Sequence, residues 1–104
     1  MKRGEVWWAH LPKPLGKRPV VLLSRDEAYN IRLSITVAEI TTTIRNIPVE
    51  VKFTKEDGLP KSCVANLDTI ITISKELLTE RVCLLNPHKI EEINKAIKFA
   101  LYSR

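Results

Sequence analysis

Val20-Val21-Leu22-Leu23 is the tightest constraint this chain places on its own fold. Four consecutive apolar residues stand between Pro19 and the polar stretch Ser24-Arg25-Asp26-Glu27. The run is too short for a helix and does not alternate, so residues 19–24 read as a β-strand buried on both faces. Such a strand needs a neighbour along each edge and a layer over each face. Pro19 suits its first position, because it has no N–H to give to a ladder. Its ring also fixes the backbone torsion next to Arg18, so the guanidinium starts from a defined anchor.

The rest of the chain supplies the neighbours. Residues 4–11 form a first strand, with Val6, Trp7 and Trp8 as strong β-formers. Residues 12–17 hold two prolines and a glycine and read as a loop. A short helical turn is expected over 26–32, then a third strand over 33–41 that continues raggedly through 42–46. Residues 48–54 alternate cleanly, Val49, Val51 and Phe53 against Glu50, Lys52 and Thr54. After a turn at 55–62 come two extended pieces, 62–67 and 69–73. A short helix capped by Ser74 follows over 75–78, and a last strand over 81–85. Asn86 is a good N-cap, with Pro87 at the first helical position. Beyond it Ile90, Ile93, Ile97 and Leu101 make one apolar stripe, with Lys95 and Lys98 on the polar side. Short, evenly spaced strands followed by one packed helix predict a mainly β (α+β) chain, a small curled barrel partly covered by its C-terminal helix. The 104 residues (1–104) read as a single domain.

Charge and cysteine usage narrow the classes. Seventeen Lys and Arg against twelve Asp and Glu leave a net charge of +5, a surface that attracts polyanions in general. No apolar run reaches the ~18 residues of a membrane span, and MKRGEVWW lacks the apolar core of a signal peptide, so a cytoplasmic protein with no membrane contact is expected. Cys63 and Cys83 show neither C-x-x-C nor Cys/His spacing and read as buried, reduced thiols. His10 and His88 sit in no ligand motif, so neither a metal nor a cofactor is expected.

Taken in order, RGEVWWAHLP, RPVVLLS, a strand ending in Ile40-Thr41, GLPKSCVANLD, TIS-x-x-LL and the closing helix resemble the MazF/PemK (Kid) family of toxin endoribonucleases over essentially the whole chain. The resemblance implies an SH3-like barrel forming a symmetric homodimer that cuts single-stranded RNA without a metal. It also implies a cognate antitoxin whose acidic tail covers the RNA groove and through which alone DNA would be contacted. In that family the arginine of the RP dipeptide and the threonine closing the third strand are the catalytic pair, here Arg18 and Thr41; the aspartate at Asp68 is implicated in some members. Lys13, Lys17, Arg25 and Arg45, with Arg32, are candidates for an electrostatic path for RNA.

Metal-free RNA cleavage uses the substrate's own 2′-hydroxyl as nucleophile, and leaves a 2′,3′-cyclic phosphate and a 5′-hydroxyl. It needs charge stabilisation on the phosphorane and proton transfer at the attacking and leaving oxygens. Arg18 suits the first task, since its fork grips two phosphate oxygens and stays charged. Thr41 can donate to phosphate or orient the nucleophile. Asp68 is the better base chemically, provided it reaches the 2′-oxygen. On the residues alone each has a plainer reading: a solvated charge, a strand threonine, a turn cap. One of Trp7 and Trp8 should be core, and the other could stack a base or pack a dimer, with packing favoured. Three features depart from the family pattern: the short loop 12–17, Ile71 where an arginine is common, and Asn66 where one branch places a catalytic arginine. They leave room for a second reading, a non-catalytic barrel toxin or antitoxin-binding regulator acting on a protein target, as gyrase poisons do.

Overall fold

The computed structural model describes residues 1–102. The strands are β1 (Glu5–Leu11), β2 (Gly16–Leu22), β3 (Ser34–Thr41), β4 (Glu50–Phe53), β5 (Cys63–Ser74) and β6 (Leu78–Leu84); the helices are α1 (Ala28–Ile31) and α2 (Pro87–Tyr102). The strands form one antiparallel sheet in the order β4-β5-β3-β2-β1-β6, curled into a half-barrel.

The sheet is covered on both faces, which is what the apolar run in β2 demands. Val21 joins Val6, Ala38, Ile40 and Phe53 in a core closed by Ile93 and Ala96 of α2. Val20 and Leu22 point the other way, into a second core with Ala9, Val37, Ile73 and Tyr29 of α1. Tyr29 is fixed there by donating from its hydroxyl to the Ser24 carbonyl at 2.9 Å. Burial, with Asp26 nearby, pushes its pKa up to about 12. Helix α2 begins where the caps place it, with the Lys89 N–H donating to Asn86 Oδ1 at 2.9 Å. Its stripe is shorter than expected: Leu101 is exposed, and Ala96 takes the buried position beside Ile93.

Several boundaries differ from the sequence expectation. β3 stops at Thr41, and residues 42–48 are exposed. There, side chains rather than a partner strand take the backbone donors: Glu50 accepts from the N–H groups of Arg45 and Asn46. The two extended pieces at 62–67 and 69–73 are one strand, β5. Its midpoint is marked by Asn66, whose Oδ1 accepts from the Asp68 N–H at 2.8 Å and whose carbonyl accepts from the Thr69 hydroxyl at 3.0 Å. The polar signal there is a local irregularity, matched by a register shift between Ala38 and Ile40 on β3. The turn after Ser74 is a three-residue 3₁₀ turn, so β6 begins at Leu78, earlier than residue 81.

At the β1–β6 edge Glu5 is almost fully enclosed. Its carboxylate accepts from the Trp7 indole N–H at 2.9 Å, the Lys2 N–H at 3.2 Å and Arg81 Nε at 3.1 Å. Cys63 is buried and Cys83 only half-buried; both are free thiols, and burial pushes Cys63 up to about 11 and Cys83 above its usual value. Among the described residues no helix is long and apolar enough to cross a membrane.

Candidate functional site

The β2–β3 ladder runs from Leu22↔Val37 to Val20↔Glu39 and stops there. The next residue of β2 is Pro19, which has no N–H. β3 continues past this point against β5, pairing Ile40 with Ala65 and Thr41 with Val64. β2 stays on β1, pairing Pro19 with Trp8 and Arg18 with Ala9. Between the parting strands lies a groove of about 280 Å³. Continued by two residues, the ladder's register would set Arg18 opposite Thr41, and both side chains line the groove.

Arg18 is half-buried and held at two points. Its Nε donates to the Leu15 carbonyl at 3.2 Å, and Nη1 donates to Glu39 Oε1 at 3.1 Å. Thr41 Oγ1 accepts from the Thr43 N–H at 3.2 Å, which leaves its hydroxyl hydrogen free to donate outward. Lys17 and Lys61 bring two more cations to the rim. The Lys17 ammonium lies 5.2 Å from the centroid of the Trp8 ring, in cation–π range. Beside this opening is an apolar recess of about 70 Å³, where Trp8, Pro19 and Ile40 meet Leu59, Pro60 and Cys63. The opening therefore offers a charged contact at Arg18 beside a flat aromatic and apolar one at Trp8.

Of the residues singled out from sequence, Arg18, Thr41 and Lys17 come together here. Asp68 does not line the groove. It is exposed on β5, in the irregular stretch between Ala65 and Ile70, whose partners on β3 are Ile40 and Ala38. Lys13 is exposed in the β1–β2 loop, and Arg45 in the loop after β3. Arg25 and Arg32 border a separate polar hollow of about 170 Å³ with Ser24, Ser34 and Thr36. Ile71 packs against the second core. Both tryptophans are half-buried: Trp7 packs against that core, and Trp8 serves the groove rather than the interior.

Sequence reasoning missed Lys61 and Glu39. Lys61 sits in a turn, with no local signal to tie it to Arg18. Glu39 did carry one: in SITVAEIT it falls on the same alternation as Ile35 and Val37, both buried. A carboxylate on an apolar face requires a partner.

Comparison with known proteins places the chain in one family. Residues 2–101 match the family described as PemK-like, MazF-like toxin of type II toxin-antitoxin system. The chain is 37% identical over 100 residues to the probable endoribonuclease MazF5 of Mycobacterium tuberculosis, covering 95% of this chain and 91% of that one. It is 34% identical to the endoribonuclease MazF of Staphylococcus saprophyticus, covering 97% and 91% respectively. Among solved structures, an endoribonuclease in complex with its cognate antitoxin from a mycobacterial species superposes with a TM-score of 0.86 at 28% identity, covering 97% of this chain and 94% of that one.

Proposed function

Because the chain belongs to the PemK-like, MazF-like family of type II toxin–antitoxin toxins and is an endoribonuclease of that kind, we propose that it cuts single-stranded RNA in the groove between Trp8, Arg18 and Thr41. The observation that carries this reading is the convergence of Arg18 and Thr41, distant in sequence, on one groove with a cationic rim. The 2′-oxygen attacks phosphorus while the bond from phosphorus to the 5′-oxygen breaks. The 2′-hydroxyl proton passes to water, and water delivers a proton to the departing 5′-oxygen. Arg18 stabilises the added negative charge on the phosphorane, and the Thr41 hydroxyl donates to a phosphate oxygen. The products are a 2′,3′-cyclic phosphate and a 5′-hydroxyl, and DNA, lacking the 2′-hydroxyl, is not cut. No metal is needed, because the nucleophile comes from the substrate and Arg18 supplies the charge stabilisation a metal would otherwise give.

Lys17 and Lys61 draw the RNA backbone in, and the same cations suit an acidic antitoxin segment that competes for the groove. Asp68 is left out of the catalytic assignment because it is not among the residues that line the groove. The enzyme acts in the cytoplasm on mRNA and as a homodimer, in which a second copy lengthens a groove that is short in one chain.

The test incubates the purified protein with long single-stranded RNA in excess EDTA and maps the ends. Discrete cuts are expected, lost in Thr41→Val and slowed ~10²–10³-fold in Arg18→Ala, with Asp68→Asn close to wild type. No cleavage, or cleavage indifferent to Arg18 and Thr41, overturns the proposal; growth arrest without cleavage would point to a protein target.

A further inference from the structure

We propose that Glu39 is a positioning residue of this site, holding the Arg18 guanidinium so that its free N–H groups face the scissile phosphate; the inference rests on the RNA-cleaving reading above. Glu39 closes the β2–β3 ladder opposite Val20. It stands two residues before Thr41, so strand alternation puts both side chains on one face. Its Oε1 accepts from Arg18 Nη1 at 3.1 Å, while the Leu15 carbonyl accepts from Arg18 Nε at 3.2 Å. The two anchors come from different segments, β3 and the β1–β2 loop, and together they fix both the position and the plane of the guanidinium.

The donor count supports a positioning role. A guanidinium has five N–H groups, of which one on Nε and one on Nη1 are occupied. The other three, including both on Nη2, have no protein partner among the described residues. That is enough for a two-point grip on a phosphate. The Glu39 side chain is 14% exposed and that of Arg18 30%, so the pair is less screened than an ordinary surface ion pair. A flexible arginine would have to be ordered by the substrate at the moment of reaction; here the fold has already ordered it.

Charge alone predicts the opposite sign. If Glu39 merely neutralised Arg18, its removal would strengthen RNA binding and leave or raise the rate. A positioning carboxylate predicts a fall in kcat with little change in KM. Glu39→Gln keeps an acceptor at the same reach and should retain more activity than Glu39→Ala.

The experiment measures steady-state cleavage of a short RNA by the full chain and by Glu39→Ala, Glu39→Gln, Arg18→Lys and the Arg18→Lys/Glu39→Ala double variant, with thermal melts confirming folding. Glu39→Ala should lower kcat by about 10- to 100-fold with KM changed by less than about threefold. That loss should largely vanish in the Arg18→Lys background, because the carboxylate acts through the guanidinium. Wild-type kcat in Glu39→Ala, a change confined to KM, or full additivity in the double variant overturns the inference while leaving the nuclease reading intact. If the wild-type chain does not cut at all, the reading falls and the inference with it. A second measurement is independent of turnover: the Arg18 Nη1–H resonance, whose proton Glu39 accepts, should exchange with water more slowly in the wild type than in Glu39→Ala, and equal exchange rates count against the anchor.

Discussion

Gly58 ties the wall of the groove to the far edge of the sheet, and its substitution can be worked out from the structure. It closes the 3₁₀ turn Lys55–Asp57 at φ +105° and leads directly into Leu59, Pro60 and Lys61, which line the groove and its recess. A Cβ added to it would lie 2.7 Å from Cys83 Cβ and 3.0 Å from Cys83 Sγ. Cys83 Cβ is bonded to the backbone of β6, so no rotamer change can move it aside; only a backbone shift can. Overpacking of this kind costs about 1–3 kcal/mol, and the positive φ adds about 1–2 kcal/mol for a side-chain-bearing residue. Gly58→Ala is therefore expected to destabilise by about 2–5 kcal/mol. Gly16 supplies the control. It too has a positive φ, +67°, but a Cβ there would meet nothing within 4 Å. Gly16→Ala should show the torsional cost alone, about 1–2 kcal/mol. The gap of about 1–3 kcal/mol corresponds to roughly 4–24 °C in Tm for a domain of this size. Urea unfolding followed by tryptophan fluorescence reads both variants. Equal destabilisation to within about 0.5 kcal/mol would refute the reasoning, because the 58–61 loop would then be free to move off β6.

Glu5 gives a pH dependence with a defined sign. Burial alone would raise its pKa, but the hydrogen bonds from Trp7, the Lys2 N–H and Arg81 outweigh it and leave the carboxyl below its ordinary value. A folded-state pKa below the unfolded one contributes stability above the unfolded value, and that stability is lost as pH falls through the folded value. Glu5→Gln should be less stable than wild type at pH 7 by about 1–3 kcal/mol. The two should converge in acid, and urea midpoints that differ by a constant amount from pH 7 down to pH 2 would contradict this. Trp8→Leu keeps apolar volume but loses the aromatic face. It should weaken single-stranded RNA binding roughly 5- to 150-fold, the equivalent of about 1–3 kcal/mol of stacking, and unchanged affinity in a filter-binding assay would remove the base from this recess.

The elements that could be read from sequence are those whose cause is local. The β2 run, the alternation in β4 and the cap at Asn86-Pro87 each follow from neighbouring residues and each is present, although β2 takes in Gly16 and Lys17 of the expected loop and ends at Leu22, and β4 is confined to Glu50–Phe53. Boundaries failed where a polar side chain imitated a partner strand. Glu50 satisfying Arg45 and Asn46 ended β3 early, and the Asn66 side chain bonding to Asp68 made one strand look like two. The tryptophans needed the tertiary structure for another reason, since alternation says that two adjacent ones face opposite ways without saying what either will meet.

By itself, the chain's order of residues determined a curled antiparallel sheet with a covering helix, and marked Arg18 and Thr41 through a resemblance carried by short motifs. Only the tertiary structure decided that β2 and β3 part at Pro19, that Glu39 and Leu15 hold Arg18 across that opening, that Lys61 joins the rim, and that Asp68 stays away from it. The physical reason is the range of the interactions. Burial and capping are written in periods of two to four residues, whereas the meeting of side chains across unpaired strand ends depends on sheet register and curl, to which the whole chain contributes.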